Sequence, residues 1–317
     1  MEKLNRTDLL EKFSSSTWIS PYERIVAMVD PEAGLLEIHE FHARGKCIGG
    51  SAWEIYHYPR VSSLVMNAKR EGARNIFLVK LGECKLNLVP GIAGAGIEKA
   101  TFSEDEIRIT YAGLAGGGIA ATICRGMAEN VKGIEIYERG GGSQLGRATL
   151  ILPVRKKVIL GVDDTDEPGN GATWGLINEL SYSMEKEGLA SYLGHVIVQL
   201  YTKNPYKTTN CVSIATTFAV DPKYENHLIE TFRDCLKKST YSEHTGMAVY
   251  RGIDPPELVR DFSVRAKKEL LELADAEKVA VAGKVDLIPI TGQRGLIGAL
   301  AAIGFANDPD EAVKVYA

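Results

Sequence analysis

The sequence predicts an α/β or α+β protein of two domains, each built from a mixed sheet with packed helices. Three observations lead to this prediction. The 317 residues exceed the usual length of one domain, roughly 100–200 residues. Short apolar runs rich in β-branched residues alternate with helical patterns along the chain. The basic pair Lys156–Lys157 precedes the apolar run VILGV, which predicts a boundary between a glycine-rich domain (1–155) and a second domain (156–317).

The composition excludes several classes of protein. Charged residues make up 25% of the chain and the net charge is −4, which excludes intrinsic disorder and a polycationic nucleic-acid binder. Because neither an export signal nor an apolar run of membrane-spanning length occurs, we expect a cytoplasmic protein without a membrane partner. The five cysteines form no CxxC pair, so we predict neither a zinc ribbon nor a redox dithiol.

The first domain is predicted to begin with a hairpin and to continue with a helix and a strand. The runs RIVAMV (24–29) and LLEIHEF (35–41) flank DPEAG, a turn sequence. The segment SSLVMNAKREGA (62–73) is predicted to be helical, and NIFLVKL (75–81) is predicted to be a strand. His39 and His42 form an HxxH motif, which we interpret as a surface pair because residues on a strand alternate between its faces.

Three further strands are predicted over 106–111, 133–138 and 148–154, with a helix that opens at GLAGGG after the first of them. Glycines cluster around these segments. They could place backbone N–H groups against a phosphate, or they could serve tight turns and close helix packing. Since neither a Walker lysine nor a placed ribose carboxylate accompanies them, the residues leave both interpretations open.

The strongest functional signal is GVDDTDEPGNGAT at the start of the second domain. An apolar strand ends at Val162, and Asp163, Asp164 and Asp166 follow within four residues. Adjacent carboxylates repel one another, and a shared Mg²⁺ that bridges phosphate oxygens would relieve the repulsion. The loop glycines Gly169 and Gly171 and the helix that Thr173 opens would then bind the phosphates. The alternative is an acidic turn that only caps the helix.

Two later segments add candidate phosphate contacts. KVDLIPI (284–290) leads into TGQRG and a helix of small residues, where Arg294 could hold an anion. Lys207, in NPYKTTN, stands at the entrance to a predicted strand. A structural arginine and a solvated lysine are the alternatives. The predicted nucleotide-binding residues are Thr165, Gly169, Gly171, Lys207, Asn210, Gly292, Arg294 and Gly295.

The segments GVDDTDEPGNGAT, NPYKTTN and GQRGLIGALAAIG occur in this order and resemble the kinase domain of archaeal tRNA(Ile) agmatidine synthetase. That enzyme uses ATP to activate a cytidine carbonyl by phosphorylation, after which agmatine displaces the phosphate. The resemblance covers about residues 156–317. It implies ATP and Mg²⁺ as cofactors.

The resemblance also implies a role for each matching residue. Asp163, Asp164 and Asp166 match the Mg²⁺-binding and catalytic carboxylates, and Asp163, Asp164 and Thr173 are the predicted catalytic residues. Thr173 matches a threonine that the synthetase phosphorylates on itself. Lys207 and Asn210 match its lysine-bearing loop, and Arg294 with Gly295 matches its late ATP loop.

The sequence departs from the synthetase in ways that bear on the substrate. Ala172 and Trp174 replace a cysteine and a threonine of its motif. The tRNA-holding parts, a zinc ribbon among them, have no counterpart, so we do not expect tRNA as a partner. The whole arrangement resembles the methanogenesis marker protein 11 family, which is confined to methane-producing archaea.

Our leading hypothesis is an ATP- and Mg²⁺-dependent phosphotransferase or activating enzyme linked to methanogenesis, acting on an unidentified small molecule or protein. An alternative is a nucleotide-responsive assembly factor without chemistry of its own, which would bind proteins of methane metabolism. A third is an RNA-modifying enzyme, against which the near-neutral first domain argues. Homo-oligomer formation stays open.

Overall fold

The computed structural model describes residues 1–316, and the chain divides into two compact units, Met1–Arg155 and Lys156–Ala317. Within the described residues, no helix is both long and apolar enough to cross a membrane.

The first unit consists of antiparallel strands with three helices. Its strands are β1 (Glu2–Asn5), β2 (Arg24–Asp30), β3 (Leu35–Phe41), β4 (Val65–Glu71), β5 (Arg74–Lys80), β6 (Gly82–Glu83), β7 (Ala95–Phe102), β8 (Glu106–Leu114), β9 (Gly133–Gly141) and β10 (Gln144–Pro153). Its helices are α1 (Arg6–Phe13), α2 (Ile48–Val61) and the short α3 (Ala115–Ile119), which continues as a π-helical turn over Ala120–Cys124.

These strands form two sheets, of order β1-β9-β10-β8-β7-β6 and β2-β3-β5-β4. The predicted hairpin is confirmed as β2 and β3, which pair from Arg24 opposite Phe41 to Asp30 opposite Leu35. The helix predicted over 62–73 is wrong, because these residues form β4, which pairs with β5 around the turn at Gly72. The helix of this region is α2, which precedes it.

The α+β class is confirmed, but the sheets of both units are antiparallel rather than mixed. Hairpins join β2 to β3, β4 to β5, β7 to β8 and β9 to β10, and a hairpin can only return the chain antiparallel. The first unit also has two sheets where one was predicted.

Gly118, in the helix that follows β8, serves close packing. A Cβ atom at Gly118 would lie 2.6 Å from the carbonyl oxygen of Gly113 and 2.8 Å from the amide nitrogen of Gly146. Both distances are too short for a real side chain, so the helix approaches the sheet backbone only because these positions lack Cβ atoms.

The second unit is one sheet covered on both faces. Its strands are β11 (Lys156–Asp163), β12 (Ala190–Gln199), β13 (Val212–Val220), β14 (Gly246–Arg251) and β15 (Val285–Pro289), and its helices are α4 (Thr173–Lys186), α5 (Glu225–Ser239), α6 (Glu257–Ala266), α7 (Leu273–Ala282), α8 (Gly295–Ile303) and α9 (Pro309–Ala312). The order β12-β13-β11-β14-β15 puts β11 at the centre, antiparallel to both neighbours.

Alternate residues of β11 enter two separate apolar cores. Val158, Leu160 and Val162 pack in the core that contains α4 and α5. Ile159 packs in the core that contains α6, α7 and α8. A strand buried on both faces has no polar positions, which explains why VILGV is a continuous apolar run. The first polar side chain after this run is Asp163, at the end of the central strand.

Candidate functional site

The acidic segment turns sharply where β11 ends. Asp164 has φ +60°, a left-handed conformation that is uncommon outside glycine and that Asp and Asn tolerate better than most residues. Its backbone N–H donates to Oδ1 of Asp163 over 2.8 Å. The turn therefore sends two successive carboxylates in different directions from the end of one strand.

Arg294 holds the second of these carboxylates. Its Nε lies 2.7 Å from Oδ2 of Asp164 and its Nη2 lies 3.2 Å from Oδ1, which is the two-pronged geometry that a guanidinium provides. Ser242 donates to Oδ1 over 2.9 Å, and the Thr245 hydroxyl donates to the backbone carbonyl of Asp164 over 2.7 Å. Asp164 is thus ion-paired with Arg294 and also held by two hydroxyl groups of the loop between α5 and β14.

Asp163 lies against the start of α8 without such a cation. A Cβ atom at Gly298 would lie 2.6 Å from Cγ of Asp163, so this carboxylate occupies space that any other residue at 298 would fill. Burial raises the pKa of the Asp163 carboxyl well above its usual range, and the carboxylates of Asp164 and Asp166 act in the same direction. A positive group placed here would relieve that electrostatic cost.

Asp166 is surrounded by hydroxyl groups. Thr173, the first residue of α4, donates to Oδ1 over 3.3 Å, and Thr208 donates to Oδ2 over 2.9 Å. Thr165 in turn donates to the Thr173 hydroxyl over 3.0 Å, and both of these threonines are buried. Thr165 and Thr173 therefore form a hydroxyl chain that ends on a carboxylate.

The loop between Asp166 and α4 is shaped by glycine. Gly169 and Gly171 have φ values of +107° and +90°, which L-residues with a side chain rarely adopt. No atom lies within 4 Å of a Cβ built on Gly169, so this side of the loop is open. Ala172 provides no side-chain cap for α4, so no side chain caps the first amide groups of that helix.

The segment around NPYKTTN reaches the site, but not through its lysine. The Tyr206 ring lies under the guanidinium of Arg294, 5.3 Å from Cζ to the ring centre, and Thr208 is bonded to Asp166. The Lys207 ammonium instead donates to the carbonyl of Thr202, and Asn210 is exposed. Neither of the two predicted contacts touches the carboxylates in this structure.

The late glycine loop packs against the same turn. A Cβ at Gly295 would lie 2.7 Å from the Asp163 carbonyl oxygen and 2.8 Å from that of His244, and one at Gly292 would lie 2.8 Å from Cα of His244. These glycines are thus required by backbone approach. The segment from Thr240 to Thr245, which pattern reasoning missed, links the two glycine loops: Thr240 donates to the Thr165 carbonyl and Thr291 to the Ser242 carbonyl.

The donor set suits a hard cation, although the chain does not form a ready-made metal site. Within residues 1–316, no group of three or more His, Cys, Asp or Glu side chains is placed to hold a metal ion. Asp164 is neutralised by Arg294, whereas no ion pair to Asp163 or Asp166 occurs among the described residues. Carboxylate and hydroxyl oxygens are the ligands that Mg²⁺ prefers, together with the oxygens of a bound phosphate.

Comparison with known proteins confirms the resemblance of the second unit. Residues 159–222 match the TiaS TCKD domain family. The tRNA 2-agmatinylcytidine synthetase TiaS of Pyrococcus horikoshii is 32% identical over 150 residues, 46% of this chain and 35% of the synthetase. The corresponding enzyme of Methanosarcina acetivorans is 29% identical over 161 residues. This chain therefore spans about a third of these synthetases' length.

Among solved structures, the complex of TiaS with an isoleucine tRNA and ATP is similar at 25% identity and a TM-score of 0.43, over 49% of this chain and 37% of that one. The expectation that tRNA is not a partner gains no support from these relatives, whose names include tRNA.

A further relative matches both units. The uncharacterized protein MJ0921 of Methanocaldococcus jannaschii is 46% identical over 294 residues, which is 93% of this chain and 97% of that protein. An identity of this size over nearly the full length of both chains shows common descent of the whole arrangement, and the chain belongs to the same protein family as MJ0921, with a TiaS-like domain in its second half.

Proposed function

We propose that residues 156–317 bind ATP with Mg²⁺ and transfer a phosphoryl group to, or otherwise activate, an acceptor that is not yet identified. The observation that carries the proposal is the junction of Asp163, Asp164, Asp166 and Arg294 at the end of the central strand. It combines two carboxylates that lack a cation, Asp163 and Asp166, with a guanidinium and a glycine loop that is open at Gly169, which are parts that phosphoryl transfer uses.

Asp163 and Asp166 are the residues proposed to hold Mg²⁺. The ion would supply positive charge that neutralises phosphate oxygens. Because burial and two neighbouring carboxylates raise the pKa of Asp163, a bound cation would remove an unfavourable interaction already present in the free protein. Asp164 keeps Arg294 aligned through its two-pronged contact.

Arg294, Gly292, Gly295, Gly169 and Gly171 are proposed to contact the phosphates. Arg294 stands at the N-cap of α8 with its guanidinium partly exposed, so it can bind an anion while retaining Asp164. Lys207 and Asn210 would join the site only if ATP rearranges their loop, since Lys207 now bonds Thr202.

Thr173 is proposed as the hydroxyl that receives or contacts the transferred phosphoryl group. Its Oγ1 is bonded to Asp166 and to Thr165, and a carboxylate that accepts the hydroxyl proton is the usual way to activate such a nucleophile. Thr173 is buried, which favours phosphate contact in a water-poor site.

The decisive experiment is calorimetric titration of Mg-ATP into the full chain, followed by an ATP turnover assay. Asp164→Asn retains the left-handed turn, because Asn also tolerates positive φ, yet loses the charge that fixes Arg294. We expect the Kd for Mg-ATP to rise by about tenfold or more, because Arg294 is no longer held in place. The matched control is Asp234→Asn, an exposed position on α5 paired with Arg233. Absence of Mg-ATP binding by the unaltered chain, or unchanged affinity in Asp164→Asn, would overturn the proposal.

The names of the TiaS relatives favour a second candidate, in which the acceptor is an RNA nucleoside. A salt-sensitive gel shift with total tRNA, together with RNA-dependent ATP turnover, would select it. The link to archaeal methane formation is likewise a proposal, drawn from the resemblance to methanogenesis marker protein 11. A partner captured only with Mg-ATP, without turnover, would select the assembly factor instead.

A further inference from the structure

Three exposed aromatic side chains stand beside the carboxylate junction of the second unit, and the proposed metal and phosphate contacts do not use them. Trp174 is 54% exposed, Tyr206 is 63% exposed and Tyr241 is 59% exposed. Within residues 156–316, the other aromatic side chains of comparable exposure are Tyr182 and Tyr224. Most of the exposed aromatic surface of this unit therefore gathers at one site, and such a cluster indicates a binding surface.

Trp174 follows the hydroxyl that is proposed to meet the transferred phosphoryl group. It is the second residue of α4, directly after Thr173, whose hydroxyl donates to Asp166. The indole makes no hydrogen bond and no aromatic contact with the described residues. Nothing lies within 4 Å of a Cβ built on the neighbouring Gly175. The fold thus gives the indole no polar or aromatic partner and leaves the helix surface beside it open.

The two tyrosines adjoin residues that are proposed to contact phosphate. The Tyr241 backbone N–H donates to the Thr165 carbonyl over 2.9 Å, and Cδ2 of its ring lies 3.1 Å from the position of a Cβ on Gly171. The centre of the Tyr206 ring lies 5.3 Å from Cζ of Arg294. A phosphate group held by Gly171 and Arg294 would therefore have a tyrosine ring beside each of these residues.

The chemistry of these rings does not serve phosphate itself. Phosphate oxygens are bound by positive charge and by N–H donors. The face of an aromatic side chain instead binds another planar ring by stacking, and this stacking tolerates many different ring substituents. A ligand that carries both a phosphate and a planar ring would use both sets of groups at this junction.

We propose that Trp174, Tyr206 and Tyr241, here called the aromatic rim, bind a planar unsaturated ring of the ligand by stacking. The rim makes the site select ligands that carry such a ring over plain polyphosphates. The ring comes from one of two sources, the base of the bound nucleotide or the acceptor. This inference rests on the proposed function, because it takes a phosphate-bearing ligand to be bound next to the rim.

The first arm of the test compares Mg-ATP with Mg-tripolyphosphate, which has three linked phosphates but no ring. Both are titrated into the full chain by calorimetry. If the nucleotide base stacks on the rim, Trp174→Ala should raise the Kd of Mg-ATP about tenfold and leave the Kd of Mg-tripolyphosphate unchanged. Trp174→Phe retains an aromatic ring, so its Kd for Mg-ATP should stay within about threefold of the unaltered chain.

The matched control is Tyr182→Ala. It removes a ring of the same helix that is 56% exposed and lies eight residues, or about 12 Å, farther along α4. We expect this variant to leave the Kd values of both phosphate ligands unchanged.

The second arm uses benzyl alcohol, a planar ring with a hydroxyl group as acceptor, and its saturated counterpart cyclohexylmethanol. Saturation-transfer NMR measures the contact of each compound with the full chain, with and without Mg-ATP. If the ring belongs to the acceptor, benzyl alcohol should receive more saturation than cyclohexylmethanol. This difference should be lost in Trp174→Ala and retained in Tyr182→Ala, while the Kd of Mg-ATP stays the same in both variants.

The inference is overturned if Trp174→Ala changes neither the Kd of Mg-ATP nor the saturation of benzyl alcohol. It is also overturned if the variant weakens Mg-tripolyphosphate as much as Mg-ATP, because the indole would then support the phosphate contacts rather than a ring. If the unaltered chain binds neither phosphate ligand, the proposed function fails instead. The benzyl alcohol measurement without nucleotide then still decides whether the aromatic rim binds a ring.

Discussion

Replacement of Gly298 by alanine is expected to destabilise the second unit by about 0.5–2 kcal/mol and to abolish Mg-ATP binding. The added methyl group would lie 2.6 Å from Cγ and 3.0 Å from Cβ of Asp163, so the carboxylate must rotate away. It would then lose the bond from the Asp164 amide, and a bond to a charged acceptor contributes about 1.5–3 kcal/mol. The higher helix propensity of alanine relative to glycine offsets about 1 kcal/mol of this loss.

The assay is urea-induced unfolding monitored by circular dichroism. The urea concentration at half-unfolding is compared between the variant and the unaltered chain, provided that both show the same dependence of unfolding free energy on urea concentration. Gly175→Ala is the matched control, because it is the same substitution in α4, where nothing lies within 4 Å of the new Cβ. It should stabilise by up to about 1 kcal/mol. The reasoning is refuted if Gly298→Ala is as stable as the unaltered chain and binds Mg-ATP equally well.

Three other predictions concern single groups. Arg294→Lys keeps the charge but loses the two-pronged contact with Asp164, so the Kd for Mg-ATP should rise about tenfold by calorimetry; an unchanged Kd would contradict it. Burial, together with the nearby Asp163 carboxylate, raises the pKa of the Cys211 thiol to about 11. The rate at which Cys211 is alkylated in the folded chain, measured by mass spectrometry, should therefore still increase with pH above pH 9. A rate that levels off near pH 9 would contradict this prediction. Burial alone would raise the pKa of Glu54, but Arg125 and His42 outweigh it and hold the pKa at about 2, below the usual 4.5. The ionised Glu54 therefore contributes fully to the stability of the folded chain above pH 4.5, and this contribution is lost as the pH falls toward 2. The unfolding midpoint of Glu54→Gln should consequently change less with pH over this range.

Local pattern predicted the parts of the fold that short-range physics determines. The hairpin of β2 and β3 follows from two apolar runs around a turn sequence, and the central strand β11 from an uninterrupted apolar run. The charged residues of segment 62–73 suit an exposed helix face, which predicts a helix, but in the structure they lie on the largely exposed strand β4. Tertiary pairing with β5 overrides the local preference there.

The candidate site likewise contains residues that local pattern predicts and contacts that only the tertiary structure creates. The carboxylates, Thr173 and Arg294 stand in recognisable segments, but the pairing of Arg294 with Asp164 joins residues that are distant in the chain. Ser242 and Thr245 lie in no recognisable sequence motif, and only the fold places their hydroxyl groups next to the turn at Asp164. The interpretation of His39 and His42 as a surface pair is wrong: both are buried, because β3 lies inside its sheet and the His42 ring packs on α2.

Helix α8 follows all five strands of its sheet in chain order, and eight of its nine residues are buried. The same helix carries Arg294 at its N-cap and closes over Asp163. During synthesis, when a chain emerges from its N-terminal end first, the carboxylate turn is made long before the arginine that completes it. Partly synthesised or misfolded copies would therefore present no assembled site, and the proposed nucleotide binding would occur only after the second unit has finished folding.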